Sequence, residues 1–101
     1  MEFINKIELQ GSVGCVRTNH VQGMTVQNFS LYTEHLNRLK DGSIIREGTW
    51  HNVVAWEKTQ VGEGDVVKVI GRLRQQIYTS ANGTERVYYE VVASELKVIE
   101  R

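Results

Sequence analysis

The sequence predicts an all-β chain whose five strands close, or nearly close, into a small barrel. Three observations point there. Apolar and polar residues alternate with period two along most of the chain, as half-buried strands require. Turn residues punctuate these runs at His20-Val21-Gln22-Gly23, Lys40-Asp41-Gly42-Ser43, Gly62-Glu63-Gly64-Asp65 and Ala81-Asn82-Gly83-Thr84. There is no proline and no helical period of useful length. Closure removes the sticky edges of an open sheet. A two-sheet sandwich is the alternative, although it usually needs more and shorter strands. A chain of 101 residues, 41% of them apolar, is enough for one domain with an ordinary core.

In the first strand Ile7, Leu9 and Val13 alternate with polar neighbours, and Gly11 and Gly14 mark a bulge or a tight barrel bend. Val16 to His20 continues it past that bend. The second strand runs from Met24 to Thr33, with Phe29, Leu31 and Thr33 on one side. Residues 34–48 are polar and read as a long hairpin loop with room for strand extensions and one short turn at Leu36 and Leu39. Thr49 to Glu57 is the third strand and Val66 to Thr79 the long fourth. Asn82-Gly83 readily takes the positive φ of a tight hairpin turn. Arg86 to Ala93 follows as the fifth strand, and Leu96 and Val98 alternate again at the end.

Several function classes find no support. Met1 to Lys6 lacks the apolar stretch of a signal peptide, and no window reaches the length of a membrane span. Cys15 stands alone, so no disulfide forms within the chain, and it reads as a plain core or strand residue. These features favour a cytoplasmic, reducing location and no membrane partner. His20, His35 and His51 lack metal-ligand spacing, and no Ser, His and carboxylate grouping suggests a nucleophile. Gly11 and Gly14 precede no helix and make no phosphate-binding fingerprint. Glu63 and Asp65 sit in a turn and read as solvated. No catalytic residue, metal or cofactor is expected, and the chain does not read as an enzyme.

Twelve Lys and Arg balance twelve Asp and Glu. Neutrality argues against nucleic-acid binding, where phosphate contacts dominate affinity, but distribution matters more than the total. Between Val66 and Thr84 stand Lys68, Arg72 and Arg74 with no acid. From Glu85 to Arg101 four acids outweigh three bases. On the fourth strand Lys68, Arg72, Arg74, Gln76 and Tyr78 share one parity, interrupted by Ile70. On the third, Trp50, Asn52, Val54 and Trp56 share one face, while His51, Val53 and Ala55 share the other. The small apolar centre of the second set suits a barrel interior, which turns both tryptophans outward. Exposed large aromatics need a reason: base stacking, a subunit interface, or a core with the opposite orientation.

The order of these segments resembles a known family. Asn28-Phe29-Ser30-Leu31, Thr49-Trp50-His51-Asn52-Val53-Val54-Ala55-Trp56 and Val69-Ile70-Gly71-Arg72-Leu73-Arg74 are similar to the bacterial single-stranded DNA-binding proteins. So are the opening Ile4 to Gly11 and the closing Tyr89 to Ala93. The resemblance covers nearly the whole chain. It implies that residues 1–101 form a single OB-fold nucleic-acid-binding domain, a five-stranded Greek-key barrel with 34–48 as a projecting β-hairpin. It implies sequence-independent binding of single-stranded DNA in replication, recombination or repair, with replication proteins as further partners. It implies a homo-oligomer, tetramer or dimer, paired through the first strand at Lys6, Ile7, Glu8 and Leu9. By position Trp50 matches a stacking tryptophan, Trp56 a stacking aromatic and Tyr78 a further tryptophan, and His51 matches a histidine of the subunit interface. Lys68, Arg72, Arg74 and Asn52 complete the expected DNA contacts.

The sequence departs from that family at three places. Leu36 stands where many members carry another tryptophan. The link from Trp56 to Val66 is short, and the helix that the resemblance implies there is not expected. Arg101 follows the last strand directly, without the acidic-tipped tail. A trimmed or tail-less variant is expected on this ground. The competing reading is a dimeric OB adaptor similar to primosomal replication protein N, whose main ligand is another replication protein.

Overall fold

A computed structural model describes all residues, Met1–Arg101. Five strands form: β1 Ile7–Val21, β2 Met24–Arg38, β3 Ile44–Trp56, β4 Val66–Thr79 and β5 Glu85–Glu100. They close into a barrel in the order β1-β2-β3-β5-β4, with β4 returning to β1. Every pairing is antiparallel except β3 with β5, which are parallel and in register only at Val53 opposite Val91 and Val54 opposite Val92. The alternating pattern therefore becomes a closed barrel, as expected.

The bend in β1 is a bulge. Val13 pairs with Leu31 and Val16 with Phe29, so Gly14 and Cys15 together face Ser30. Cys15 is exposed there, a strand residue and not part of the core. The β1–β2 turn has positive φ at both Gln22 (51°) and Gly23 (79°), the geometry that suits the right-handed twist of a two-residue hairpin.

The barrel interior is small and aliphatic. Val13, Phe29, Leu31, Val53, Ala55, Val61, Val67, Val69, Val91 and Ala93 form one cluster, with Ile7, Leu9, Val16, Leu96 and Val98 packed against it. Residues 57–65 cross one end of the barrel without a helix. Gln27 holds this link: its Oε1 accepts from the Val61 amide at 2.8 Å, and its Nε2 donates to the Val61 carbonyl at 3.2 Å and to Thr18 Oγ1 at 3.0 Å. Asp65 is buried, contrary to its reading as a solvated turn residue. Its carboxylate accepts from the Gly62 amide at 2.9 Å and from Arg101 at 3.4 Å.

Three further expectations change. Residues 34–48 are mostly strand, because β2 and β3 stay paired to Arg38 opposite Ile44 and only Leu39–Ser43 loops. Leu36 pairs with Arg46, so no short helical turn forms. The fifth strand does not stop at Ala93 but continues to Glu100, with a register shift at Ser94. In addition, β4 and β5 remain paired out to Thr79 opposite Glu85. A second hairpin arm therefore projects beside the first, and both are largely exposed.

Candidate functional site

The outward faces of β2 and β3 carry the aromatic surface. Strand alternation buries Phe29, Leu31, Val53 and Ala55, which turns Asn28, Ser30, Tyr32, Trp50, Asn52 and Trp56 outward. Trp50 is 62% exposed and pairs with Tyr32 across the strands, ring centroids 5.1 Å apart and planes tilted by 52°. Gly14 also lies against Trp50: a Cβ there would stand 2.8 Å from the six-membered ring of the indole. The bulge glycine therefore leaves the room that the indole occupies. Trp56, the last residue of β3, is 37% exposed. Its end of the strand is pinned by Glu57, whose amide donates to the Thr25 carbonyl at 2.8 Å and whose carboxylate accepts from the Thr25 amide at 2.6 Å. Asn52, between the tryptophans, is exposed. Val54, on the same parity, is buried where β3 meets β5.

The cationic stripe is less available than its sequence suggests. Lys68 makes an ion pair with Glu8 on the neighbouring strand, 3.1 Å apart. Arg74 lies opposite Glu90, and both its Nε, at 2.9 Å, and a terminal nitrogen donate to Glu90 Oε1. Gln76 Nε2 donates to the same oxygen at 3.1 Å. Glu90 is only 8% exposed. Of the stripe, Arg72 alone keeps a guanidinium without a carboxylate partner. Tyr78 is exposed near the tip of the β4–β5 arm, opposite Arg86.

Past Val53 and Val54 the two arms are no longer paired, and a concavity of about 400 Å³ lies there. Arg17, Asn28, Ser30, Asn52, Tyr88 and Glu90 line it. Arg17, Tyr32, Tyr88 and Glu90 were not singled out from the sequence. The signal for Tyr32 was its parity with Ser30 and Asn28. Glu90 was reachable by counting: it stands eight residues after Asn82, as Arg74 stands eight before, so a turn centred there sets them opposite. Arg17 had no comparable signal, because the bulge resets the parity of β1.

The residues expected at a subunit contact divide. Ile7 and Leu9 pack against the core, whereas Lys6 and Glu8 are exposed. Ile7 to Gly11 pair with β4 alone, since β2 joins β1 only from Ser12. Asn5 extends this contact, donating to the Leu73 carbonyl at 2.7 Å and accepting from its amide at 2.9 Å. His51 is half-buried with Nε2 2.9 Å from Thr33 Oγ1, and burial holds its pKa below the ordinary value.

Residues 4–99 match the model of the Single-strand binding protein family. The chain is 29% identical to the single-stranded DNA-binding protein of Neisseria meningitidis serogroup A over 95% of its own length and 60% of the relative's. It is 32% identical to that of Xanthomonas axonopodis pv. citri, covering 95% of itself and 58% of the relative. The chain thus spans about three fifths of the length of these curated relatives. The fold is similar to that of the Plasmodium falciparum SSB solved in complex with ssDNA, with a TM-score of 0.82, 24% identity, and coverage of 99% of this chain and 98% of that one. It is also similar to the single-stranded DNA-binding protein of Thermus aquaticus, with a TM-score of 0.79, 15% identity, and coverage of 96% of this chain and 51% of that one.

Proposed function

Because the chain belongs to the single-strand binding protein family, we propose that it binds single-stranded DNA without sequence preference and performs no chemistry on it. The observation that carries this reading is the outward row on β2 and β3. The half-buried Tyr32 and the exposed Trp50 and Trp56 lie on one outward row of the sheet, with the polar Asn52 between the tryptophans. Every base has a π-face, so stacking on such a row tolerates any sequence and contributes about 1–3 kcal/mol per base. Arg72 supplies a free cation for phosphate, Lys68 and Arg74 supply paired ones, and Tyr78 extends the aromatic path along the second arm. On this reading residues 1–101 act as one binding domain in the cytoplasm, in replication, recombination or repair. The chain assembles as a homo-oligomer, tetramer or dimer, through the first-strand edge of Lys6 to Gln10, with His51 near the contact. Replication proteins are its further partners.

The test is a titration with oligo-dT, read by tryptophan emission. Trp50 and Trp56 are the only tryptophans, so quenching reports on them directly. Trp56→Ala and Tyr78→Ala should each weaken binding, while circular dichroism and sedimentation stay as in the parent. Folded, assembled variants that bind oligo-dT like the parent would refute the stacking path. The neutralised pairs Lys68–Glu8 and Arg74–Glu90 favour a second reading, a dimeric adaptor whose main ligand is another replication protein. Under it, oligo-dT binds weakly at physiological salt, and the same substitutions disturb a protein contact.

A further inference from the structure

Glu90 is an odd residue to find beside a surface meant for a polyanion. It is almost wholly buried, yet it lines the concavity between the arms. Its Oε1 takes three N–H donors, two from Arg74 and one from Gln76, which saturates that oxygen. Its Oε2 takes none, yet no side-chain oxygen of the protein is both sealed from solvent and unpartnered. Oε2 is therefore accessible, with no donor from the chain itself. An accessible carboxylate oxygen repels phosphate and asks for an N–H.

We propose that this concavity is a base-edge subsite in which Glu90 selects bases carrying an exocyclic amino group, cytosine over uracil or thymine among the pyrimidines. The proposal rests on the DNA-binding reading above and adds a bias at one position to an otherwise sequence-tolerant path. The volume, about 400 Å³, lies within the usual range for small-ligand pockets and exceeds what a single base needs. Tyr88 stands at its wall. Asn28 and Asn52 each bring a donor and an acceptor, which adapt to the ring nitrogen and carbonyl of a bound base. The 4-amino group of cytosine gives Oε2 the donor it lacks. In the same seat the 4-carbonyl of uracil or thymine sets lone pairs against that oxygen, and their ring N3–H meets it only if the base slides along its edge. Adenine and guanine also carry amino groups and satisfy the same requirement. Because Arg74 and Gln76 grip only Oε1, they fix the carboxylate so that its other oxygen stays turned from them.

The experiment compares oligo-dC with oligo-dU of equal length at pH 8, measured as Kd on the full chain. The two differ in the pyrimidine only by 4-amino against 4-oxo and the ring N–H that follows, so stacking area and phosphate charge nearly cancel. The parent should bind oligo-dC about tenfold more tightly or better, the discrimination of one hydrogen bond to a charged acceptor. In E90Q the side-chain carbonyl stays with the Arg74 and Gln76 donors and the amide NH2 takes the place of Oε2. The preference should then fall to parity or turn toward oligo-dU. Equal affinities in the parent, with tryptophan quenching intact, would overturn the proposal, and so would an unchanged ratio in E90Q. The parent's ratio needs no variant, so the proposal stays open to refutation if E90Q fails to fold. Failure to bind oligo-dC, oligo-dU and oligo-dT alike would instead overturn the DNA-binding reading itself.

Discussion

Replacing Arg72 with Ala separates the cations that are free from those already spent. Lys68 and Arg74 each hold a carboxylate, so a phosphate that takes either one first displaces Glu8 or Glu90. Arg72 has no such partner, and each phosphate neutralised on a single strand contributes about −0.7 to the slope of log K against log salt. Arg72→Ala should therefore flatten the slope by about 0.7 per bound subunit. Between 0.05 and 0.2 M salt that is about a 2.6-fold difference in how far affinity falls. The substitution lies on an exposed strand position and should leave stability within about 0.5 kcal/mol. Arg74→Ala should behave differently. It leaves the nearly buried Glu90 carboxylate with Gln76 alone, at a cost of about 1–3 kcal/mol in stability, moderated by the 34% exposure of the Arg74 side chain. Its salt slope should change less than that of Arg72→Ala. Oligo-dT titrations at five salt concentrations, with urea melts of the same proteins, measure both quantities. A slope unchanged in Arg72→Ala but flattened in Lys68→Ala or Arg74→Ala would refute the argument, and would mean that DNA opens both ion pairs.

Gly14→Val should displace the indole of Trp50, because a Cβ alone would stand 2.8 Å from its ring. The expected result is a shifted emission maximum, weaker oligo-dT quenching and a stability loss of about 1–3 kcal/mol. Leu31→Ala removes a side chain with no exposed surface at the centre of the barrel and should cost about 2–5 kcal/mol in urea denaturation. His51 has its pKa depressed by burial from an ordinary value near 6.5, so the unfolded chain takes up a proton more readily than the folded one. Its contribution is complete above pH 6.5 and is lost as the pH falls toward the depressed value. Melting temperatures from pH 7.5 to 5 should drop more steeply in the parent than in His51→Gln. Parallel curves would show that His51 does not titrate on unfolding.

Much of the architecture is written in local pattern. Alternation with period two places Phe29, Leu31, Val53, Ala55, Val67 and Val69 inside, because a strand turns successive side chains to opposite faces and only one face of a barrel is dry. The same rule puts Trp50, Asn52 and Trp56 outside together, and Asn82-Gly83 marks where β4 turns into β5. What local pattern does not contain is which strand lies beside which. Alternation reads the same whether a strand's edge meets β5 or water. The reach of both arms, the bulges at Gly14 and Ser94 and the parallel meeting of β3 with β5 depend on pairing between segments far apart in the chain. The charges show the consequence. Lys68, Arg72 and Arg74 look equivalent along β4, but Glu8 comes from β1 and Glu90 from β5. The Asn82-Gly83 turn already sets Glu90 opposite Arg74, but only tertiary pairing brings Glu8 to Lys68 and leaves Arg72 free, because an ion pair needs atoms a few ångströms apart and separation between distant segments carries no such distance.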